Sequence, residues 1–249
     1  MAYADLTIRD RNPIKRWLQH RRFADALAVL AGVSARGRPR ILDFGAGDGE
    51  LVRRIHGLAQ VEALVYEPSA ALMAEAKQKL AGMASVQFTD SIASVESGSF
   101  DYVFCLEVFE HLPARQTDAA IADIERLLKP GGVAVIGVPH ELHLPALLKG
   151  LFRVYRRRGE FDARFGNIWA AVWGRPPLLR PVAEIAPGVP FHFHHLGFDH
   201  RTLEKMLQEH LHLVRKWFSP FPLLGATLNS EVYFLLRKKQ PAAASEALR

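Results

Sequence analysis

The stretch Ile41-Leu42-Asp43-Phe44-Gly45-Ala46-Gly47-Asp48-Gly49-Glu50 combines two features that pull in opposite directions. A glycine turn between a strand and a helix presents backbone N–H groups, which suit a phosphate. Carboxylates at Asp43, Asp48 and Glu50 would repel one. The dinucleotide pattern G-x-G-x-x-G fits at Gly45 and Gly47, but Glu50 stands where the third glycine belongs and Gly49 falls one residue early. A ligand with an ammonium group and no phosphate suits Asp43 better, and S-adenosylmethionine is one: an amino acid, a sulfonium and an adenosine. A second set of residues can move protons. The chain has 11 histidines, and imidazole is the natural base near neutral pH. His111 follows Glu107 and Glu110, His140 lies further on, and His192, His194 and His195 crowd into Phe191-His-Phe-His-His-Leu-Gly-Phe-Asp-His-Arg201.

These residues need elements to position them. Apolar periodicity predicts a helix from Pro13 to Leu30, then a Gly/Ser/Arg/Pro linker to Arg40. Strands are predicted at Arg40 to Phe44, Val61 to Tyr66, Val86 to Phe88, Phe100 to Leu106 and Val133 to Val138. Between them helices are predicted at Glu50 to Leu58, Ser69 to Leu80 and Thr117 to Leu128, the last stopped by Lys129-Pro130-Gly131-Gly132. Phe100 to Leu106 is apolar almost throughout, as a strand buried on both faces must be. This alternation implies a parallel sheet with helices on both faces and a ligand crevice at the carboxyl ends of the strands. Residues 141–190 break the rhythm with a long, basic, aromatic and proline-rich insertion. A helix then starts at Asp199 or Arg201 and runs to Glu209, and strands are predicted at His212 to Phe218 and Glu231 to Leu236.

Composition bounds the answer without choosing it. With 249 residues, 49% of them hydrophobic, the chain suits a single domain with a sizeable core. A formal net charge of +6 fits an acidic substrate, an anionic membrane surface or nucleic acid, or serves solubility alone. Cys105 is the sole cysteine, so no intrachain disulfide forms, and a reducing compartment is expected. The early charges in MAYADLTIRDRNPIKRW predict no signal peptide. No apolar run approaches the roughly 18 residues that span a bilayer. The expected location is cytoplasmic, with contact to the inner face of a membrane left open.

The glycine loop and the segments that follow it resemble class I S-adenosylmethionine-dependent methyltransferases, in the small-molecule O-methyltransferase-like branch. Ile41 to Glu50 is similar to the family's first motif. Val65-Tyr66-Glu67-Pro68-Ser69 has an acid at the end of strand two, where the family binds the ribose hydroxyls. Phe88-Thr89-Asp90-Ser91 resembles the end of strand three, where an acid accepts from the adenine amine. Phe100 to Leu112 resembles the fourth-strand motif, and Leu127 to Val133 the turn before strand five. Five motifs in order are specific where one glycine motif is not. The resemblance covers residues 38 to 140 well and 195 to 238 loosely. It implies a Rossmann-like α/β fold: a seven-stranded, mostly parallel sheet with helices on both faces and an antiparallel C-terminal strand. An N-terminal basic helical cap (residues 1–37), an inserted helical lid (141–190) and a disordered tail (239–249) complete the expectation for a methyltransferase domain spanning 38–238. It implies S-adenosyl-L-methionine as methyl donor, held by Asp43, Gly45, Gly47, Glu67, Pro68, Asp90, Ser91, Leu106 and Glu107. Other readings stay open. Asp43 can cap its turn, Glu67 can be a solvated strand-end charge, Asp90-Ser91 can cap a helix, and Cys105 reads as a small buried hydrophobe.

Methyl transfer from a sulfonium is an in-line displacement, so a protein chiefly aligns the acceptor. His111, His140 and His195 are the candidate catalytic residues, each with a structural role as the alternative. Glu107-x-x-Glu110-His111 also matches a pattern of small-RNA 2′-O-methyltransferases and some quinone O-methyltransferases, where the acids and imidazoles hold a divalent ion. The same letters occur in metal-free relatives, and no metal is assigned. Leu144, Leu147, Leu148, Leu151 and Val154 make an apolar stripe ending in Arg153, Arg156, Arg157 and Arg158. This basic amphipathic helix is a lid, a membrane contact over residues 142–158, or a phosphate-tracking surface. The function expected is a methyltransferase, O-directed, on a small, lipid-linked or sugar-linked metabolite. The alternatives are an RNA 2′-O-methyltransferase with a Glu/Glu/His metal site, a non-catalytic S-adenosylmethionine-binding protein and a nicotinamide oxidoreductase. Nucleic acid is the weaker expectation for a partner, because the insertion is only a crude basic-aromatic groove.

Overall fold

A computed structural model describes residues 13–30 and 37–239. The linker 31–36 and the tail beyond Lys239 lie outside the described residues, as does the start of the expected cap.

The helices are α1 (Pro13–Leu27), α2 (Glu50–His56), α3 (Ala70–Lys79), α4 (Ala114–Leu127), α5 (His143–Arg156), α6 (Phe165–Val172) and α7 (His200–His210). The strands are β1 (Arg40–Phe44), β2 (Glu62–Tyr66), β3 (Val86–Thr89), β4 (Phe100–Leu106), β5 (Leu128–Pro139), β6 (Ala183–Ala186), β7 (Val189–Phe191), β8 (Leu211–Ser219) and β9 (Glu231–Lys238). Seven strands form one sheet in the order β3-β2-β1-β4-β5-β9-β8. Neighbours from β3 to β5 are parallel, and β9 inserts antiparallel between β5 and β8. The Rossmann-like sheet and its antiparallel closing strand are therefore as the sequence predicts.

Strict alternation explains why both faces are covered. Leu42, Val103, Cys105, Ile136 and Phe234 pack on one face with Ile121, Ile124, Leu203 and Leu207 from α4 and α7. Ile41, Phe104, Val135 and Tyr233 pack on the other, with Ala26 and Leu27 of α1, Leu51 and Ile55 of α2, and Ala76 of α3. Cys105 is a fully buried thiol in this core. Asp199 starts α7 by accepting from the Arg201 backbone N–H at 2.9 Å.

Four local expectations change. The helix before the linker tightens to a 3-10 turn at Ala28–Leu30. Lys129 to Gly132 does not separate a helix from a later strand; β5 starts at Leu128 opposite Phe100, and the four residues bulge out before Val133 pairs with Tyr102. The insertion carries α6 and a small hairpin, β6–β7, that periodicity does not predict, because both are short and proline-flanked. The closing strand continues to Lys238, two residues past the expected Leu236, and Lys239 Nζ donates to the Gln208 and Glu209 carbonyls. Among the described residues no helix is long and apolar enough to cross a membrane.

In the insertion, α5 seats on α6 through Gly150. A Cβ built there would lie 2.6 Å from Ile168 Cγ2, and Ile168 is itself buried. Gly150→Ala is expected to lower stability by about 1–3 kcal/mol through overpacking, despite alanine's better helix propensity. Urea unfolding checks this; a variant as stable as the parent would show that the helix pair is loosely packed.

Candidate active site

A cleft of about 650 Å³ opens at the carboxyl ends of β1, β2 and β4. That volume suits a small-molecule site. One half is built by the glycine loop. Gly45 and Ala46 donate to the Tyr66 carbonyl at 2.9 and 3.0 Å, which ties β1's end to β2's. Gly45 has φ 76°, and a Cβ there would stand 2.5 Å from Val108 Cγ2. Only glycine fits both demands.

The loop's acids divide into two kinds. Glu50 receives Arg53 at 2.9 and 2.7 Å and Arg54 at 2.8 Å. Burial acts to raise its pKa, but these hydrogen bonds bring it down to about 2. Asp48 is paired with Lys79. Asp43 has no such partner. It is buried, its Oδ2 meets no donor, and burial followed by the Glu67 and Asp48 charges pushes its pKa up to about 8. Glu67 is also buried. Its Oε2 accepts from Gly47 N at 2.8 Å and its Oε1 from Ser69 N at 2.9 Å. Burial raises its pKa, and the two backbone donors work against that rise. Glu67 is a clamp across the loop, not a solvated strand-end charge.

The other half gathers acids and imidazoles. Glu107 directly follows β4 with φ 57°, an uncommon backbone for a non-glycine residue and a kind of strain that clusters at functional sites. Arg22 of α1 reaches across to Glu107 at 3.2 Å and to Glu231 at 2.9 Å. Burial pushes Glu107 up to about 7 and Glu231 up to about 8, against the pull of Arg22. Glu110 is fully buried and neither carboxylate oxygen has a hydrogen-bond partner; burial pushes it up to about 8. His111 Nδ1 lies 2.7 Å from the His192 carbonyl. A carbonyl only accepts, so Nδ1 carries the proton and Nε2 is left as an acceptor. Burial lowers His111 to about 4. Its ring stacks on Phe191 at 4.3 Å and meets the edge of His195 at 4.7 Å. Burial, then the neighbouring His111, holds His195 well below its ordinary value. Ligand atoms of Glu110, His111 and His195 all lie within 4.8 Å of one another.

Asp43, Gly45, Gly47, Glu67, Pro68, Leu106, Glu107, His111 and His195 all line this one cleft. Asp90, Ser91 and His140 do not. Asp90 is exposed. Thr89 and Ser91 close a local turn on each other, with no helix after it to cap, and Ile92 reaches the cleft instead. His140 is wholly buried, with its ring 4.9 Å from His200 and 5.9 Å from Phe218. Its backbone N–H extends the β5–β9 pairing to the Ser230 carbonyl at 2.7 Å, which turns the side chain away from the cleft. Arg22 and Phe23 line the cleft and Glu231 an adjoining pocket that shares Arg22, Glu107 and His195 with it, and sequence reading misses all three. Glu231 left one signal, an acid opening an otherwise apolar strand.

The pocket fits S-adenosylmethionine by its chemistry. Asp43 and the free Oε1 of Glu107, whose Oε2 pairs with Arg22, suit an ammonium, Arg22 also suits a carboxylate, and the Gly45 floor admits no side chain. A ubiquinone biosynthesis O-methyltransferase from Xanthomonas axonopodis pv. citri (strain 306) is 38% identical over 110 residues, 41% of this chain and 45% of that protein. The chain thus aligns with less than half the length of this relative. The N-methyltransferase NodS from Bradyrhizobium japonicum WM9, in complex with S-adenosyl-l-homocysteine, aligns with a TM-score of 0.56 and 15% identity over 93% of this chain and 90% of its own. The [4+2]-cyclase SpnF aligns with a TM-score of 0.59 and 14% identity over 91% of this chain and 83% of its own. Such low identities carry the fold alone, and a cyclase among them shows that the fold does not dictate the reaction. The family model described as "Methyltransferase domain" matches residues 14–210, most of the chain. The chain belongs to the methyltransferase-domain family, with the class I fold of its seven-stranded sheet.

Proposed function

We propose that this chain transfers a methyl group from S-adenosylmethionine to a hydroxyl of a small, lipid-linked metabolite. One observation carries the reading: the His111 Nε2 acceptor and His195 stand in the same cleft as the glycine loop, Asp43 and Glu67. The bound cofactor supplies an activated methyl group. The chain's residues do the rest. Asp43 and the free Oε1 of Glu107 would hold its ammonium, Arg22 its carboxylate, and Glu67 the ribose hydroxyls while keeping the loop in shape. His111, neutral through physiological pH, receives the acceptor's proton at Nε2, and Phe191 holds its ring in plane. Phe191, Phe193, Ile185 and Val189 give the acceptor side an apolar wall. The name of the Xanthomonas relative supports an acceptor of the quinone-precursor kind; a sugar-linked acceptor fits the polar groups but not that wall.

A second reading of the same residues adds a divalent ion on Glu110, His111 and His195. The two unpartnered oxygens of the buried Glu110 favour it. Such an ion lowers the pKa of a bound hydroxyl. RNA acceptors belong to this reading.

Calorimetric titration with S-adenosylmethionine and S-adenosylhomocysteine, with and without magnesium, tests both. Micromolar binding is expected, and His111→Ala should then cut methyl transfer by roughly 10²–10⁴-fold while leaving that affinity intact. Binding of neither compound would leave the fold without its usual chemistry and sink the proposal. A magnesium-dependent gain in affinity that Glu110→Gln abolishes would establish the metal reading.

A further inference from the structure

The helix pair α5–α6 is built inside out. On α5, Lys149 and Arg153 point inward. Lys149 Nζ donates to Glu141 at 2.9 Å and to the His140 and Ser230 carbonyls at 3.1 and 3.3 Å. Arg153 donates to Glu141 at 2.8 and 3.0 Å and pairs with Asp162 at 3.3 Å. Glu141 and Asp162 are 1% exposed. The outer face of the same helix is apolar. Leu148, Leu151, Phe152 and Tyr155, spaced i, i+3, i+4, i+7, are each more than half exposed. On α6 and its cap, Phe165, Trp169 and Trp173 are also more than half exposed, while Ile168 and Ala171 pack inward on Ala146. Leu144, Leu147 and Val154, which the helical pattern places in the exposed stripe, are partly covered. A helix facing water shows the reverse arrangement.

Charge decides what covers this face. Arg156, whose guanidinium lies 5.5 Å over the Phe152 ring, and the exposed Arg158, Arg164 and Arg175 have no carboxylate partner among the described residues. A second copy would set these arginines against their own kind. An apolar layer beneath a negatively charged one matches both features: tryptophans sit at the headgroup level and arginines on the phosphates. Beyond α6 the chain exposes further apolar residues, Leu178, Leu179 and Val182, and Phe193 is both exposed and part of the cleft wall.

We propose that α5 and α6 dock this chain on a bilayer containing anionic lipids. The delivery of a lipid-linked acceptor from that bilayer rests on the methyl-transfer reading; the docking does not. Co-sedimentation of the full chain with phosphatidylcholine vesicles, and with vesicles containing one third phosphatidylglycerol, tests it without turnover. Binding is expected only with phosphatidylglycerol and should weaken with salt. Phe152→Glu with Trp169→Glu should reduce it at least roughly tenfold, with S-adenosylhomocysteine affinity unchanged as the check on folding and on the cofactor reading. Should that pair fail to fold, Arg156→Glu with Arg158→Glu, both at exposed positions, should still cost roughly fivefold for each arginine lost. No binding to phosphatidylglycerol vesicles, equal binding to both vesicle types, or a dimer in solution that Phe152→Glu with Trp169→Glu dissolves would each overturn the proposal. Retained S-adenosylhomocysteine binding in those cases would leave the methyltransferase reading standing.

Discussion

Glu67→Ala is expected to weaken S-adenosylmethionine binding by about 1.5–3 kcal/mol, the scale of hydrogen bonds to a charged group. Calorimetry would read this as a roughly ten- to hundredfold rise in Kd. The carboxylate has two tasks. It accepts from Gly47 N and Ser69 N, so it holds the glycine loop and the start of α3 in register. Each oxygen keeps a second lone pair for a ligand hydroxyl. Alanine removes both and leaves two backbone donors without a partner. The unliganded variant should therefore also lose about 1–3 kcal/mol of stability if those donors stay dry. Glu67→Gln keeps one good acceptor but sets an NH2 group against a backbone donor, so it should fall between the two. An alanine variant with the parent's Kd would show that Glu67 shapes the loop and nothing more.

Asp43→Asn should change how stability depends on pH. The buried carboxyl has its pKa pushed up to about 8 from an ordinary value of 3.8. A raised acid in the folded state holds its proton where the unfolded chain has lost it. Its stabilising contribution is complete below the unfolded value and is lost as pH rises through about 8. Between those limits the folded state binds one extra proton. Stability then falls by up to about 1.4 kcal/mol per pH unit on account of this group. Asparagine binds no proton, so urea unfolding without cofactor should show a flatter pH dependence in the variant between pH 5 and 8. Glu107, Glu110 and Glu231 keep their own slopes in both proteins, so the difference isolates Asp43 and its coupling to Glu67 and Asp48. A cationic ligand favours the charged carboxylate. S-adenosylmethionine affinity should therefore rise with pH up to about 8 in the parent, and less so in Asp43→Asn. Parallel profiles for the two proteins would mean that Asp43 ionises normally and faces solvent.

The loop and the histidines show why some of the site could be read early and some could not. Gly45, Gly47 and Glu67 are close in sequence to the strand ends that carry them. A strand-turn-helix unit is local, so their meeting follows once the strands pair. Arg22 and Glu231 are 209 residues apart and meet at 2.9 Å only because α1 folds over the end of β9. No periodicity announces such a pair. His140 shows the opposite error. It follows β5 in the place of an active-site residue, but one more backbone hydrogen bond carries the strand past the cleft and turns the ring toward His200.

Residues 40–139 by themselves determined the parallel part of the architecture, because period-two apolar strands, glycine turns and amphipathic helices are local patterns that leave few ways to bury both faces of a sheet. They also pointed to the kind of ligand, since acids beside a glycine loop disfavour a phosphate and suit an ammonium. Tertiary structure alone decided which acids stay unpaired. Arginines from the next turn of α2 neutralise Glu50, while Asp43 and Glu110 are left buried without donors. It also decided the facing of α5. A helical wheel sends lysine and arginine to water, but the buried carboxylates of Glu141 and Asp162 draw Lys149 and Arg153 inward. Leaving those carboxylates buried and unpaired would cost far more than exposing the leucines, phenylalanine and tyrosine on the other side.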